Sequence, residues 1–136
     1  MRPTVAQPDA ERAMVDVLTE ALAAREPTTT VGIGVPIGWT PTSSPTHAEV
    51  AWDGTPGGQW PITARPTIRI VVRAASTTTA KATAALCQAL LLAYEGGHGI
   101  TTISPLVGIT PARDPDTEAE LAWFTVAVTT RLTPLA

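Results

Sequence analysis

Thr67-Ile68-Arg69-Ile70-Val71-Val72-Arg73-Ala74, followed across Ala75-Ser76 by Thr77-Thr78-Thr79-Ala80-Lys81-Ala82-Thr83-Ala84-Ala85-Leu86-Cys87-Gln88-Ala89-Leu90-Leu91-Leu92, decides the fold. The first eight residues alternate. Ile68, Ile70, Val72 and Ala74 share one face and Arg69, Val71 and Arg73 the other, the period of a strand with one buried side. The period then changes to that of a helix. Ser76 is a good N-cap, and Ala80, Ala84, Cys87, Leu91 and Tyr94 form one face of a helix expected over Thr77 to Glu95, stopped by Gly96-Gly97. Ala82, Leu86, Ala89, Leu90 and Ala93 make the neighbouring face apolar too, so this helix is expected to be buried on several sides.

Upstream, Asp9 caps a second amphipathic pattern in which Met14, Val17, Leu18, Ala21 and Leu22 recur at helical spacing. That helix is expected to end near Arg25, ahead of Pro27. Val31, Ile33 and Val35 alternate with glycines as a short strand. Ala48, Val50 and Trp52 mark another, closed by Asp53-Gly54. Downstream, Ile100 to Val107 reads as a strand broken at Pro105, Pro111 to Glu120 as a polar turn, and Leu121 to Leu132 as a long last strand. On that strand Ala122, Phe124, Val126 and Val128 lie opposite Leu121, Trp123, Thr125 and Ala127. The expectation is one α+β domain over residues 1–136, with a largely antiparallel or mixed sheet of about five strands on two helices in the order α-β-β-β-α-β-β.

The 136 residues carry a formal net charge of −3, and only 15% are charged. Lys81 is the only lysine and the arginines are scattered from Arg2 to Arg131, which argues against a grip on nucleic-acid phosphates. Cys87 is the single cysteine, so neither an internal disulfide nor a cysteine zinc site is available. No apolar run is long enough to span a membrane, and no signal-peptide core precedes Asp9. The simplest compartment is the cytoplasm.

Motifs for chemistry are missing. Gly32-Ile33-Gly34-Val35-Pro36-Ile37-Gly38 lacks the spacing of a dinucleotide loop, and no phosphate-loop lysine signature occurs. His47 and His98 have no partner at metal-ligand spacing. Asp114-Pro115-Asp116-Thr117-Glu118 opens like a calcium loop, but Ala119 stands at its sixth position and Thr125 at its twelfth. Cys87, among Ala and Leu, reads as a core residue. An enzyme would require a cluster among His47, Asp53 and Glu49. The expectation is a protein without cofactor, metal or enzymatic activity.

Two stretches carry a family resemblance. One is Arg65-Pro66-Thr67-Ile68-Arg69-Ile70-Val71-Val72 leading into the apolar helix. The other is Leu106-Val107-Gly108-Ile109-Thr110-Pro111, an acidic turn, then Trp123-Phe124-Thr125-Val126-Ala127-Val128 to Arg131. Together they resemble the tail terminator of long-tailed, non-contractile bacteriophages (siphophages), particularly those of actinobacteria. The resemblance covers roughly the C-terminal half, and the Pro-rich stretch from Pro36 to Pro66 has no counterpart in it.

The resemblance implies a homohexameric ring in the virion, at the head–tail junction, assembled in the host cytoplasm. Such a ring caps the tail tube, ends polymerisation of the tube protein and joins the tail to the head-completion or stopper connector. Double-stranded DNA passes through without specific binding. Six copies at −3 would place about −18 around the channel, which disfavours a close grip on DNA. The interface residues expected are Trp39 and Trp60 with Gly57 and Gly58 in the Pro/Gly loops, as aromatic anchors, and Arg69 and Arg73 as donors of inter-subunit ion pairs. The competing readings are another connector ring protein (stopper or adaptor) and a small ligand-binding regulatory domain with a concave apolar pocket.

Overall fold

Residues Glu120–Arg131 form one strand of 12 residues, apolar on both faces over much of its length, and the sheet is arranged around it. The computed structural model describes residues 4–135. Its elements in chain order are β1 (Val5–Ala6), α1 (Ala10–Ala23), β2 (Thr30–Ile33), β3 (His47–Trp52), β4 (Gly57–Gln59), β5 (Thr63–Arg65), β6 (Thr67–Ala74), α2 (Thr77–Leu92), β7 (Ile100–Pro105), β8 (Thr110–Arg113), β9 (Glu120–Arg131) and β10 (Thr133–Pro134).

This corrects the expectation of about five strands. Ten strands occur among the described residues, eight of them in one mixed sheet. The missed strands are short or rich in Gly and Pro. β4 and β5 form a hairpin inside the Pro-rich stretch, β8 occupies part of the segment read as a polar turn, and β1 pairs with β10 as a two-residue ribbon.

β9 is bonded along both edges. On one side runs β6, from Thr67↔Ala127 to Ala74↔Glu120, and beyond the break at Pro66 β5 continues with Ala64↔Thr130 and Thr63↔Arg131. On the other side β7 covers Val126 to Thr130 and β8 covers Glu120 to Trp123. Between them Leu106 N donates to Thr125 O at 3.1 Å and Thr125 N to Val107 O at 3.1 Å, so the ladder passes through the bulge. Pro105 and Pro111 both sit in this outer pair. Beyond β6 lie antiparallel β3 and then β2, the one parallel pairing among the described residues.

Both helices pack on the sheet face bearing Ile68, Ile70, Val72, Ala122, Phe124, Val126 and Val128, all fully buried. Asp9 caps α1 by accepting from Arg12 N at 3.0 Å, and Ser76 caps α2 by accepting from Thr79 N at 3.2 Å. Met14, Val17, Leu18 and Leu22 of α1 meet Ala80, Ala84, Cys87 and Leu91 of α2 in one core. The expectation that α2 is buried on several sides is corrected here. Only one face is enclosed, while Ala82, Ala85 and Ala89 are exposed and Leu92 keeps 39% of its surface.

Two consequences are measurable. Phe124→Ala removes the largest fully buried side chain, and urea denaturation should show a loss of about 3–5 kcal/mol. Burial pushes the Cys87 thiol up to about 12. A neutral-pH thiol reagent should therefore label it only after unfolding, because the thiolate is the reactive form.

Candidate interaction surface

Because side chains alternate across a strand, the residues between the core positions project to the face the helices leave open. On β6 these are Thr67, Arg69, Val71 and Arg73. On β9 they include Leu121, Trp123, Thr125 and Ala127. The tip of this face is a knot of charge. Arg73 donates to Asp114 Oδ2 at 2.5 Å and to Glu49 Oε1 at 3.3 Å, with 14% of its side chain exposed. Its Nε is buried without a partner. Arg69 pairs with Asp53 at 3.5 Å, more openly. At the same end but on the helix side, where Glu120 stands opposite Ala74, Arg113 reaches Glu120 Oε1 at 2.6 Å and Thr77 of α2 donates to the other oxygen of that carboxylate at 3.0 Å.

The Asp114–Glu118 segment is the turn joining β8 to β9, folded around its first aspartate. Asp116 N donates to Asp114 Oδ1 at 2.9 Å and Glu118 N to Asp114 O at 2.8 Å. The amide of Asp116, and then Arg73, hold the Asp114 carboxyl below its ordinary value. Arg113, and then Thr77, do the same for Glu120, and Glu120 in return raises Arg113. Among the described residues no group of three or more His, Cys, Asp and Glu is placed to hold a metal ion.

His47, Glu49 and Asp53 are not assembled into one cluster. Glu49 meets Arg73 and Asp53 meets Arg69. His47 is 2% exposed. Its Nε2 donates to Gly34 O at 2.8 Å and its Nδ1 meets Thr30 Oγ1 at 2.7 Å. The ring thus fastens β2 and the loop after it to β3.

The expected interface residues fall in different places. Trp39 is 8% exposed and donates through Nε1 to Pro45 O at 2.8 Å, so it anchors its own loop. Trp60 is 67% exposed at the turn of the β4–β5 hairpin, where Ile62 N donates to Gln59 O at 2.7 Å. Gly58 has φ +132°, and a Cβ there would lie 2.7 Å from Thr63 O, so the hairpin itself requires glycine. Gly57 pairs with Arg65 across it. Arg69 and Arg73 make their ion pairs within the chain.

Several exposed apolar residues were not singled out from the sequence. Ile37 is fully exposed in the loop after β2, Ile62 lies beside Trp60 at 63%, and Leu106 and Val107 form the bulge between β7 and β8. Each stands directly beside a Gly or Pro, and that placement was the available signal. Pro56, Gly57, Arg65, Thr67, Leu106 and Ala127 line an open groove of about 250 Å³ on the face away from the helices. No described helix is long and apolar enough to cross a membrane. No protein-family model matches the chain, and no curated protein matches it.

The charge knot gives an acid-sensitive stability. Asp114 and Glu120 are held below their ordinary 3.8 and 4.5. Their contribution is therefore complete above those values and lost as pH falls through the lower folded-state values. Denaturation midpoints should be level at neutral pH and drop in that acid range, and Asp114→Asn should flatten the drop. At neutral pH, Arg73→Ala strands two carboxylates and should cost about 1–2 kcal/mol in the same assay.

Proposed function

We propose that this protein is a structural virion component, a ring-forming tail terminator that caps the head-proximal end of a phage tail tube, ends its growth and joins the tail to the head connector. The observation that carries the reading is where the apolar surface lies. Ile37, Trp60, Ile62, Leu106 and Val107 stand on projecting loops and turns, exposed between 47% and 106%. Exposed apolar residues gathered at projections suit contacts with other protein subunits.

The resemblance that suggests this family runs through β6 and its approach, and from the β7–β8 bulge through β9. Those segments contain the central strand pair, β6 and β9, and carry the groove beside Leu106. The ring's partners would be further copies of itself, the tail tube protein and the head-side connector. DNA would pass through as cargo. The low count of cations, 9 Lys and Arg against 12 Asp and Glu, suits a channel that must not retain phosphates.

Electron micrographs of a lysate in which the phage lacks this gene test the proposal. Overlong, unattached tubes beside DNA-filled heads are expected, since length control and joining fail together. Tails of normal length beside leaking or empty heads would overturn it and place the protein on the head side. Trp60→Ala should change stability by no more than about 0.5 kcal/mol, as an exposed position, yet lower the yield of joined particles severalfold.

A further inference from the structure

The two broad faces of the subunit differ in charge. On the open sheet face Arg65 and Arg131 are both exposed and make no ion pair among the described residues. The register Thr63↔Arg131 makes them diagonal neighbours across β5 and β9, at the roughly 7–8 Å spacing of such pairs. Two like charges at that spacing repel unless something supplies carboxylates. The acidic residues of this face, Glu49, Asp53 and Asp114, are already engaged by Arg69 and Arg73, and Glu120 of β9 by Arg113.

On the opposite side of the sandwich, the outer surface of α1 carries Asp16 and Glu20, with Glu26 just beyond its end. Asp16 and Glu26 make no ion pair among the described residues, and Glu20 meets only the His98 ring, at 3.3 Å. Beside it, α2 turns the small, exposed Ala82, Ala85 and Ala89 outward, which lets another backbone approach closely. The sheet face offers half-buried Val71, Leu121 and Trp123 as the apolar counterpart. One subunit thus bears both halves of a complementary pair, on opposite sides.

We propose that the open sheet face of one copy receives the helical face of a second copy, with Asp16 and Glu20 of the second set against Arg65 and Arg131 of the first. This contact is head to tail. It uses different patches on the two subunits, so it can repeat around a closed ring, which a two-fold contact cannot do. The inference rests on the ring-forming reading above and specifies which faces meet.

Sedimentation velocity over a concentration series, at low and at high salt, tests it with four samples. Wild-type protein should associate, and less so at high salt, where exposed charges are screened. Arg65→Glu with Arg131→Glu should weaken association at least about tenfold, and so should Asp16→Arg with Glu20→Arg. An equimolar mixture of the two variants should regain assemblies larger than a pair, because each variant's altered face then meets the other's. Wild-type protein that stays monomeric throughout overturns the proposal. So do variants that associate normally, a mixture that stays monomeric, and a mixture that forms pairs only, which would mean sheet-to-sheet contact. Circular dichroism checks folding, and the milder Arg65→Gln with Arg131→Gln replaces the reversal if that unfolds. The lysate experiment scores tail length whichever faces meet. Overlong tubes with association insensitive to these charges would remove this contact and keep the terminator, and charge-swap rescue with normal tails would do the reverse.

Discussion

Everything in this molecule depends on β9 having both edges occupied over its full length. A central strand has its backbone groups paired on both sides, and each ladder fixes the face to which the neighbour's side chains point. Here β5 and β6 follow one edge and β7 and β8 the other, each pair acting as a single long strand with one interruption. The interruptions are offset. Pro66 breaks the first edge beside Val128, where its carbonyl still accepts from Val128 N at 2.9 Å, and the Leu106–Val107 bulge breaks the second beside Thr125. The β5–β6 edge keeps one register across its break, the β7–β8 edge shifts register across its own, and Phe124 and Val126 stay under the helices throughout.

From that arrangement comes the asymmetry of the subunit. Helices satisfy the apolar face completely and leave the other face to Arg, Thr, Glu and a few half-buried apolar residues. The tip of that face is neutralised inside the chain, with Arg73 held by Glu49 and Asp114. Its far end is not, since Arg65 and Arg131 project from strands that carry no acidic neighbour there. Exposed charges of this kind contribute little to stability and act mainly on which partner is met and how fast.

The sequence revealed the long-period features clearly. Both helices, with their Asp9 and Ser76 caps, and the strands β6 and β9 were legible because eight or more residues repeat one pattern. β4, β5 and β8 were not, because segments of three or four residues, in β4 and β8 containing Gly or Pro, carry no measurable period and are held by their neighbours' ladders. The girth of α2 was overread for a related reason. Alanine is apolar enough to suggest burial yet small enough to sit in water, so Ala82, Ala85 and Ala89 gave no sign of which way they faced. The candidate site was legible in part. Trp60 does project, whereas Trp39, equally surrounded by Pro and Gly, folds back onto Pro45. Nothing local distinguishes two tryptophans in such loops, since the difference lies in the tertiary position of the carbonyl that one of them finds.

Pro105 and Pro111 sit in the outermost strands on one side of the sheet. An exposed strand edge is a template on which another chain can add and then another, the route to insoluble aggregates. Proline offers no amide hydrogen, and the bulge between these two residues turns the edge out of line. A protein with only 15% charged residues has few charges to blunt such an edge and gains from this. The β7–β8 edge is thereby poorly suited to extend by adding a further strand.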